Sequence, residues 1–569
     1  MQFNNPPGKI KNNMTTPHLK KSIGKSSSPL ALLLIPLALA CFALCPMAQA
    51  VSPAPDGGYA LGNTAEGTDA LFNLTTGATN TALGVNALFS VRSGSQNTAV
   101  GANALTNNTA SQNTAIGFQA LVNNTSGGPN TATGWRALGQ NTTGSFNTAN
   151  GHTALQGNTT GHGNTAVGSL ALSGNATGSL NTGVGAGALA LNNADGNTAV
   201  GSAALGLNII GKADTAIGAG ALALNNGDPS EEGSGSANTA VGTAALTLNT
   251  TGLANTGVGA GVLTKNNDGS FNTAVGGEAL TENTTGDENT ATGFNALALN
   301  TEGSSNTATG DDALSDNTTG GDNTATGKKA LNDNTTGNGN TAIGASALHD
   351  NTTGDNNTVV GDLAGNNITT GSGNLVLGKG AGDIISVASN VICIGTDGFN
   401  ADNSCFIGNI FGRPSPSGVP VFVNEKGRLG TTPSSKRFKQ DIQPMDRASE
   451  ALFSLKPVSF RYKKEFDPAG APQLGLVAED VEKVNPDLIV RDKAGKPYSV
   501  RYEQVNAMLL NEFLKEHKSV EQQQATITDL KSTVAQQQKQ IAALTAGLQK
   551  MSAQIEMSRP APQTVANNQ

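Results

Sequence analysis

Apolar residues in this 569-residue chain follow a short repeating phrase rather than long hydrophobic runs. From residue 63 to about residue 390, small and β-branched apolar residues alternate with Asn, Thr and Gly. The 17-residue pattern is N-T-A-V-G-x-x-A-L-x-x-N-T-T-G-x-x, and it occurs nineteen times. A fixed period of this size is typical of stacked identical units, each of which buries its apolar face only against its neighbours. The pattern predicts a rod, and any chemistry is expected at its ends.

Gly and Leu occupy the most regular positions of the repeat. The fifth residue is Gly in all nineteen copies, and the ninth is Leu in the first seventeen. A Gly repeated at one position predicts a corner, because Gly takes backbone angles that side chains forbid. The copy that starts at Asp214 is longer by seven residues, which places the corner carrying this insertion on the outside of the rod.

Strands fit the repeat better than helices do. Asn, Thr and Gly are poor helix formers, and no apolar stripe with helical spacing continues through the repeated Gly. T-A-V-G predicts a short strand, A-L a second strand, and N-T-T-G the turn between coils. We therefore expect a mostly β fold in which each repeat forms one coil of a parallel β-solenoid or β-roll, with coils about 4.8 Å apart.

Both faces of the T-A-V-G strand are mostly apolar. Ala and the β-branched residue after it point to opposite faces, as in Ala99–Val100 and Ala240–Val241. One face can line the coil, and the other needs a second burial surface, which copies of the same chain could supply. This favours a symmetric oligomer, most simply a homotrimer. A flattened roll with a moderately apolar outer face is the alternative.

N-T-A-[VIT]-G followed by A-L, across residues 63–395, resembles the head repeats of trimeric autotransporter adhesins of the YadA type. The resemblance implies a left-handed parallel β-roll, three chains side by side and an adhesin-like role towards an unknown surface ligand. Such adhesins end in a membrane β-barrel segment. The last residues, from Arg559 to Gln569, contain no strand of about ten residues with barrel alternation, so we expect no membrane barrel of the chain's own.

The N-terminal segment predicts export. Lys residues at positions 20, 21 and 25 precede an uncharged apolar run from Leu30 to Cys45, and Ala48-Gln49-Ala50 follows it. This order is typical of a secretory signal peptide with an A-x-A cleavage site, so a secreted or cell-surface location is expected. The run is short for a membrane span. An uncleaved anchor and a lipid-modified Cys41 are the alternatives.

Charge and composition argue against several partners. Residues 63–390 hold seven Lys and Arg against twenty-two Asp and Glu, a net charge of −15, so nucleic acid is not an expected partner. The Asp residues do not recur at one frame position, and the G-G-x-G-x-D pattern of calcium-binding rolls is absent. We expect solvated acidic loops, no metal site and no cofactor. His152, His162 and His349 are isolated in the rod sequence and are expected at the surface.

Cleavage after Ala50 would leave Cys393 and Cys405 as the remaining cysteines. They lie in two degenerate repeat-like segments. Relative to the following Gly they differ by one position, which puts them on opposite strand faces. A disulfide needs both side chains to meet, so we expect two small buried residues, with a bridge as the alternative.

The composition changes at about residue 430, where Lys, Arg and Glu become frequent and the Asn-Thr-Gly phrase ends. Four motifs follow in order: S-S-K-R-F-K-Q-D-I from residue 434, L-K-P-V-S-F-R-Y-K from 455, G-L-V-A-E-D-V-E from 475 and Y-S-V-R-Y from 498. Together they resemble the C-terminal intramolecular chaperone of phage endosialidase tailspikes and tail fibres, and the self-cleaving domain of myelin regulatory factor is similar. The resemblance covers about residues 430–520.

That family is a self-cleaving serine peptidase with a Ser–Lys dyad in an S-x-x-R-x-K phrase. The resemblance implies Ser434 as the nucleophile, Lys439 as the base and Pro433–Ser434 as the scissile bond, with Arg437 as the middle basic residue. Relatives often have Asp after the nucleophile, where this chain has Ser435, so both hydroxyls remain candidates. A Lys acts as a base only when it is deprotonated, which burial or a neighbouring cation favours. The implied activity is one self-cleavage per molecule, with no external substrate.

Residues 509–557 predict a coiled coil. Apolar residues recur at alternating spacings of three and four, and Gln at two core positions can fix the register. An amphipathic helix packed on the preceding domain is the alternative. The core positions are Leu509, Phe513, Val520, Gln523, Ile527, Leu530, Val534, Gln537, Ile541, Leu544, Leu548, Met551 and Ile555.

The expected function is that of an exported trimeric surface fibre whose C-terminal domain drives assembly and is released by self-cleavage. A retained, non-cleaving clamp and a phage-type receptor-binding fibre are the alternatives. The expected segments are a signal peptide (1–50), a linker (51–62), the solenoid (63–389), degenerate repeats and a neck (390–433), a small α+β chaperone domain (434–508), the coiled coil (509–557) and a disordered tail (558–569).

Overall fold

The computed structural model describes residues 59–231, 233–424 and 426–560. The predicted signal peptide lies outside these residues, as does most of the predicted C-terminal tail. The chain divides into two compact units, Met1–Arg413 and Pro414–Gln569. Within the described part of the chain, no helix is long and apolar enough to cross a membrane.

The first unit is a parallel β-solenoid, as predicted. After a 3₁₀ turn at Ala60–Gly62, twenty-one short strands form one parallel sheet. Each repeat pairs in register with the next, for example Thr81 with Thr98 and Ala82 with Ala99. The strands are β1 Thr64–Glu66, β2 Thr81–Leu83, β3 Thr98–Val100, β4 Thr114–Ile116, β5 Thr131–Thr133, β6 Thr148–Asn150, β7 Thr165–Val167, β8 Thr182–Val184, β9 Thr198–Val200, β10 Thr215–Ile217, β11 Thr239–Val241, β12 Thr256–Val258, β13 Thr273–Val275, β14 Thr290–Thr292, β15 Thr307–Thr309, β16 Thr324–Thr326, β17 Thr341–Ile343, β18 Thr358–Val360, β19 Leu375–Leu377, β20 Ile392–Ile394 and β21 Cys405–Ile407.

The solenoid core is narrow and is built mainly from Ala and Leu. The middle residue of each strand points inward, as Ala99 does, and so do both residues of the A-L dipeptide, as at Ala104 and Leu105. All three of these side chains are fully buried. Burial of one Leu side chain stabilises the fold by about 1.5–3 kcal/mol, and a repeated Leu supplies this contribution coil after coil.

The A-L segment is a turn, and the prediction of a second strand there is wrong. Its Leu has a left-handed backbone, with φ of 53° at Leu105, Leu121 and Leu138. The Leu105 amide still donates to the carbonyl of Ala120 in the next coil, at 3.0 Å. The chain must change direction here to close the coil, and an extended backbone would carry it straight on. The left-handed Leu therefore turns the corner while its side chain stays in the core.

The repeated Gly is required by the close approach of the next coil. At Gly276 φ is 134°, and a Cβ there would lie 2.2 Å from the carbonyl oxygen of Gly293. No side chain fits that distance, and this backbone region is open almost only to Gly. The same contact joins Gly134 to Gly151, so coil stacking explains why each copy keeps its Gly.

The first Asn of each repeat is buried and forms a ladder of side-chain amides inside the solenoid. Asn164 shows the pattern: its backbone N–H and its Nδ2 donate to Asn147 Oδ1, at 2.9 and 3.1 Å. Its Nδ2 also donates to the carbonyl of Gly178 at 2.9 Å, and its Oδ1 accepts from Asn181 in the next coil. Buried polar groups need partners, so this first ladder holds neighbouring coils in one register.

A second ladder consists of the Asn that opens the N-T-T-G turn, over residues 108–351. Asn141 Nδ2, for example, donates to Asn124 Oδ1 at 2.6 Å and to a turn carbonyl at 2.9 Å. At the end of this ladder Asn351 Oδ1 is buried without a hydrogen-bond partner. The next coil has Ile368 at the same position, and this side chain offers no donor.

Differences in repeat length are confined to the turn after the second-ladder Asn. Asn141 donates to a carbonyl three residues further on, whereas Asn108 and Asn192, in coils one residue shorter, donate to a carbonyl two residues further on. In the longest coil Asn225 donates to Gly235, across the insertion. The turn therefore absorbs insertions and deletions outside the core, as predicted for the insertion.

Cys393 and Cys405 are unpaired thiols at the end of the sheet. In the register of β20 and β21, Cys393 lies opposite Phe406 and Cys405 opposite Ile392, so the thiols are on opposite faces, as predicted. Cys393 is buried, and burial raises the pKa of its thiol. Cys405 is exposed, and the prediction that it is buried is wrong, because it occupies the outward strand position that Thr has in most repeats.

The second unit is a small α+β domain that continues into one long helix. Its strands pair as three antiparallel hairpins, and the third hairpin contributes Ile489 and Val500 to a small core. Its fully or nearly buried residues are Val481, Leu488, Ile489, Val500 and Met508. The elements are β22 Phe422–Val423, β23 Leu429–Gly430, a 3₁₀ turn Lys436–Phe438, a 3₁₀ segment Asp446–Ser454, β24 Val458–Phe460, β25 Gln473–Gly475, α1 Ala478–Val484, a 3₁₀ turn Pro486–Leu488, β26 Ile489–Arg491, β27 Pro497–Val500 and α2 Tyr502–Met557.

Helix α2 has 56 residues, and Met508 is the one that is buried. The helix contacts the core of the second unit through Val505 and Met508. From residue 516 to residue 560 every residue is exposed. Most of the predicted heptad positions lie on this exposed part, so packing on the preceding domain ends within the first turns of the helix.

Candidate active site

The Ser and Lys predicted to form a dyad lie on either side of one 3₁₀ turn. The turn is Lys436–Phe438, and the Lys439 amide closes it by donating to the Lys436 carbonyl at 3.1 Å. A single turn brings the residues before and after it to the same side. Lys439 Nζ accordingly donates a hydrogen bond to Ser434 Oγ at 3.2 Å.

Arg437 and Ser435, the other candidate residues of this segment, do not share the contact that Ser434 makes with Lys439. Arg437 lies over the ring of Phe438, with its guanidinium carbon 4.6 Å from the ring centroid. Ser435 precedes the turn and makes no capping hydrogen bond with its side chain. Of the two candidate hydroxyls, Ser434 is therefore the one in contact with Lys439.

All residues of this segment are exposed in the single chain. In the contact described above, the hydroxyl of Ser434 accepts and the Lys439 amine donates. The opposite proton transfer, from hydroxyl to amine, needs a neutral amine, and removal from water favours the neutral form. The contact places the two groups within reach of such a transfer, and a surface that covered them would favour it.

A polar cluster that was not predicted from the sequence joins the 3₁₀ segment to the start of α2. Ser449 is fully buried and donates to Glu512 Oε1, while Asn511 Nδ2 donates to Ser449 at 2.6 Å. Lys515 Nζ donates to Glu512 and to the Asp446 carbonyl, both at 2.6 Å. The hydrogen bonds from Lys515 and Ser449 lower the pKa of Glu512. The one available signal was the i,i+3 pair Glu512–Lys515 on a helix.

Asp333, His349 and Asp350 form the group of the described residues that could hold a metal ion. Their donor atoms lie within 4.8 Å of one another, and all three are half-buried. His349 Nδ1 is 2.6 Å from Asp350 Oδ1. Burial is the main cause that raises the pKa of Asp333. The prediction that His349 is isolated is therefore wrong: residues 16 and 17 apart meet because neighbouring coils stack.

The other two solenoid His residues are at the surface, as predicted. His152 is exposed and stacks on Trp135, with ring centroids 4.8 Å apart. His162 is exposed and lies 3.2 Å from Ser179 Oγ through its Nδ1. Neither belongs to the carboxylate group around His349.

The fold and the Ser–Lys pair define a class of protein: a parallel β-solenoid rod followed by a small α+β domain with a candidate self-processing site. Residues 434–490 match the family model of the chaperone of endosialidase, a peptidase family, so the chain carries this domain after its solenoid. The match begins at Ser434 and includes Lys439. No curated protein matches the chain significantly, and no solved structure does so either.

Proposed function

We propose that this chain is an exported, trimeric, adhesin-like surface fibre whose C-terminal domain drives assembly and is then released by cleavage at Pro433–Ser434. The observation that carries the proposal is the contact of Lys439 Nζ with Ser434 Oγ at 3.2 Å, at the first residue of the region that matches the chaperone of endosialidase. The solenoid is the fibre, and the C-terminal domain is its folding clamp.

In the proposed reaction a deprotonated Lys439 takes the proton of Ser434 Oγ. The oxygen bonds to the carbonyl carbon of Pro433, and the C–N bond between Pro433 and Ser434 breaks. The proton passes to the leaving amine, which becomes the N-terminus of the released piece. Water then hydrolyses the ester, which leaves a carboxylate on Pro433 and restores the Ser434 hydroxyl. Each molecule reacts once.

Helix α2 supports self-association. Its heptad positions are exposed in one chain, for example Ile541 at 62% and Leu544 at 68%. A long helix with such a stripe gains stability when partner helices cover it. We take the partners to be two further copies of the same chain, which would form a three-stranded coiled coil.

The outward face of the solenoid sheet supports the same conclusion. In eight of the twenty-one strands the third residue is a β-branched apolar residue that is 37–42% exposed. Copies of one chain could bury this face where it is apolar, as the alternation in the sequence suggests. The residues are Ile116, Val167, Val200, Ile217, Val258, Val275, Ile343 and Val360, at 37–42% exposure.

Assembly gives a reason for delayed cleavage. The dyad is exposed in a single chain, and removal of a lysine amine from water favours its neutral form. If neighbouring copies cover Ser434 and Lys439 in the trimer, the amine becomes a base only after assembly. Long parallel rods form slowly, because register must be set before contacts stabilise it. A trimeric nucleus that is removed after use would solve this problem.

Export rests on the N-terminal segment alone, whose basic and apolar parts and A-x-A sequence have the order of a signal peptide. It supports a location outside the cell or on its surface and argues against the alternative of a phage-type receptor-binding fibre. The remaining alternative is a clamp that is never cleaved and stays on the solenoid.

The test is to express the full-length chain and compare it with three variants by denaturing gel and intact mass. Cleavage at Pro433–Ser434 is expected in the wild type and in Ser435→Ala. Ser434→Ala should stay intact. Lys439→Arg, which keeps the charge without an accessible neutral form, should slow cleavage by about 10²–10⁴-fold.

Native mass spectrometry of the same samples separates the alternatives. Intact wild-type chains that form trimers would indicate the retained clamp. Intact monomers in all four samples would contradict the assembly proposal. Cleavage that survives Ser434→Ala but is lost in Ser435→Ala would move the nucleophile to Ser435.

A further inference from the structure

Asp214 interrupts the first Asn ladder. It occupies the position of the ladder Asn in the tenth coil, residues 214–237, and is 1% exposed. The ladder residues on either side are Asn197 and Asn238, both fully buried. The tenth coil also carries the seven-residue insertion. A titratable side chain thus stands at the one coil whose turn differs most from the others.

Asp214 accepts hydrogen bonds as a ladder Asn does, but its side chain donates none. Its backbone N–H donates to Asn197 Oδ1 at 2.9 Å, and its Oδ1 accepts from the Asn238 amide at 2.8 Å. Its Oδ2 accepts from Asn225 Nδ2 at 2.9 Å. A carboxylate has no hydrogen to donate, so the Nδ2 contacts that other ladder residues make have no counterpart here.

The lost donor leaves a turn carbonyl with one partner fewer. In the next coil, Asn238 and Asn249 both donate to the carbonyl of Gly252, at 3.0 and 2.8 Å. In the tenth coil the equivalent carbonyl, that of Gly235, accepts from Asn225 at 2.7 Å as its side-chain donor. A protonated carboxyl carries an O–H group and would restore a donor at this position. The neutral acid therefore fits the ladder better than the carboxylate does.

Among the residues that the structure describes, no charged group contacts the Asp214 carboxyl. The side chains that face Asp214 from its own coil and from the two neighbouring coils are the neutral amides of Asn225, Asn197 and Asn238. Burial raises the pKa of Asp214 from 3.8 to about 7, against the smaller opposing effect of hydrogen bonds from Asn238 and Asn225. Besides Asp214, the described ionisable residues of these three coils are Lys212, Asp228 and Glu231, and all three are exposed to solvent.

We propose that the tenth coil is a pH-sensitive opening point of the rod: it is closed while Asp214 is protonated and opens, together with its inserted turn, after the proton is lost. The direction follows from proton linkage, because the folded coil binds the proton more tightly than the opened coil does. The stabilisation by protonation is complete below pH 3.8, falls as the pH rises, and is lost above about pH 7.

Hydrogen exchange of the full-length protein between pH 4 and pH 8 tests this proposal. After correction for the intrinsic exchange rate, amide protection in residues 215–225 and 238–249 should fall with pH, by at most about tenfold per pH unit for a single proton. Residues 290–340, whose ladder consists of Asn alone, should show no such fall. In Asp214→Asn, which restores the sequence of the other copies, the fall should disappear and protection at pH 8 should rise.

Asn289→Asp supplies the matched control, because Asn289 has the same position in a coil of ordinary length. If a buried carboxyl is sufficient for opening, this variant acquires a second pH-dependent region around residues 290–300. Equal pH dependence in the wild type and in Asp214→Asn would overturn the proposal. A loss of protection at all coils together, rather than at the tenth, would overturn it as well.

Discussion

Asn124 donates from Nδ2 to Asn108 Oδ1 in the preceding coil at 2.7 Å. Asn124 is fully buried, whereas its neighbour Asn123 is exposed. Asn124→Ala leaves buried partners unpaired and should lower the free energy of unfolding by about 1–3 kcal/mol. Asn123→Ala should change it by less than about 0.5 kcal/mol. Urea unfolding followed by circular dichroism compares the two, and equal effects would contradict the ladder's role.

Gly276 and Gly277 are adjacent but should respond differently to Ala. A Cβ on Gly276 would lie 2.2 Å from the Gly293 carbonyl oxygen, while the nearest atom to a Cβ on Gly277 is 3.5 Å away on Phe294. Gly276→Ala therefore combines backbone strain with a clash and should cost about 3 kcal/mol or more. Gly277→Ala should be close to neutral. Thermal unfolding of both variants measures the difference, and a tolerated Gly276→Ala would mean that the coils can separate without cost.

Leu544 and Ala546 lie on the same exposed stretch of α2 but at different heptad positions. In the proposed coiled coil Leu544 is a core residue and Ala546 faces solvent. Leu544→Asp should convert trimers into monomers at micromolar concentration, because a buried charge without a partner is costly. Ala546→Asp should leave trimers intact. Analytical ultracentrifugation distinguishes them, and trimers in both variants would exclude this helix as the assembly element.

The lowered pKa of Glu512 predicts that its contacts within the second unit weaken in acid. Hydrogen bonds from Lys515 and Ser449 lower its pKa below the usual value of 4.5. A carboxyl whose pKa is lower in the folded state stabilises the fold above its unfolded pKa, and the effect is lost as the pH falls through the folded value. Hydrogen exchange should therefore show weaker protection of Asp446–Ser454 below about pH 4.5.

Two variants test whether Glu512 is responsible. Glu512→Gln should reduce the protection of this segment at neutral pH and flatten its acid dependence. Glu516→Gln, one turn further along α2 at an exposed position, should behave like the wild type. An acid dependence that persists in Glu512→Gln would assign the effect to another group.

The strand of the repeat could be predicted from the sequence, whereas the turn at Leu and the buried Asn side chains could not. T-A-V-G shows the alternation of a strand, and its Ala, for example Ala99, is buried as expected. A-L has the same apolar character, yet Leu105 turns a corner with a positive φ, which no propensity for Leu indicates. The buried amides were equally hidden, because the N-T-T triplet has the composition of a surface turn. Only the contacts between coils give Asn141 its inward position.

The Ser434–Lys439 pair was predicted from a family resemblance, but the contact between the two side chains could be seen only in the structure. Five positions separate the two residues, a spacing that by itself has no structural meaning, and the 3₁₀ turn Lys436–Phe438 brings them together. His349 and Asp333 illustrate the converse case. Residues that look scattered in the sequence become neighbours because the solenoid places positions one repeat apart side by side.

The similarity of the coils has an evolutionary consequence. Each coil offers its neighbours almost the same amides and the same Gly carbonyl, so adding or removing one coil creates no new kind of contact. Duplication of the gene segment for one repeat would extend the fibre by one step of about 4.8 Å, and recombination between repeats would shorten it. Selection can therefore adjust the length of the solenoid in whole steps while the C-terminal domain stays unchanged.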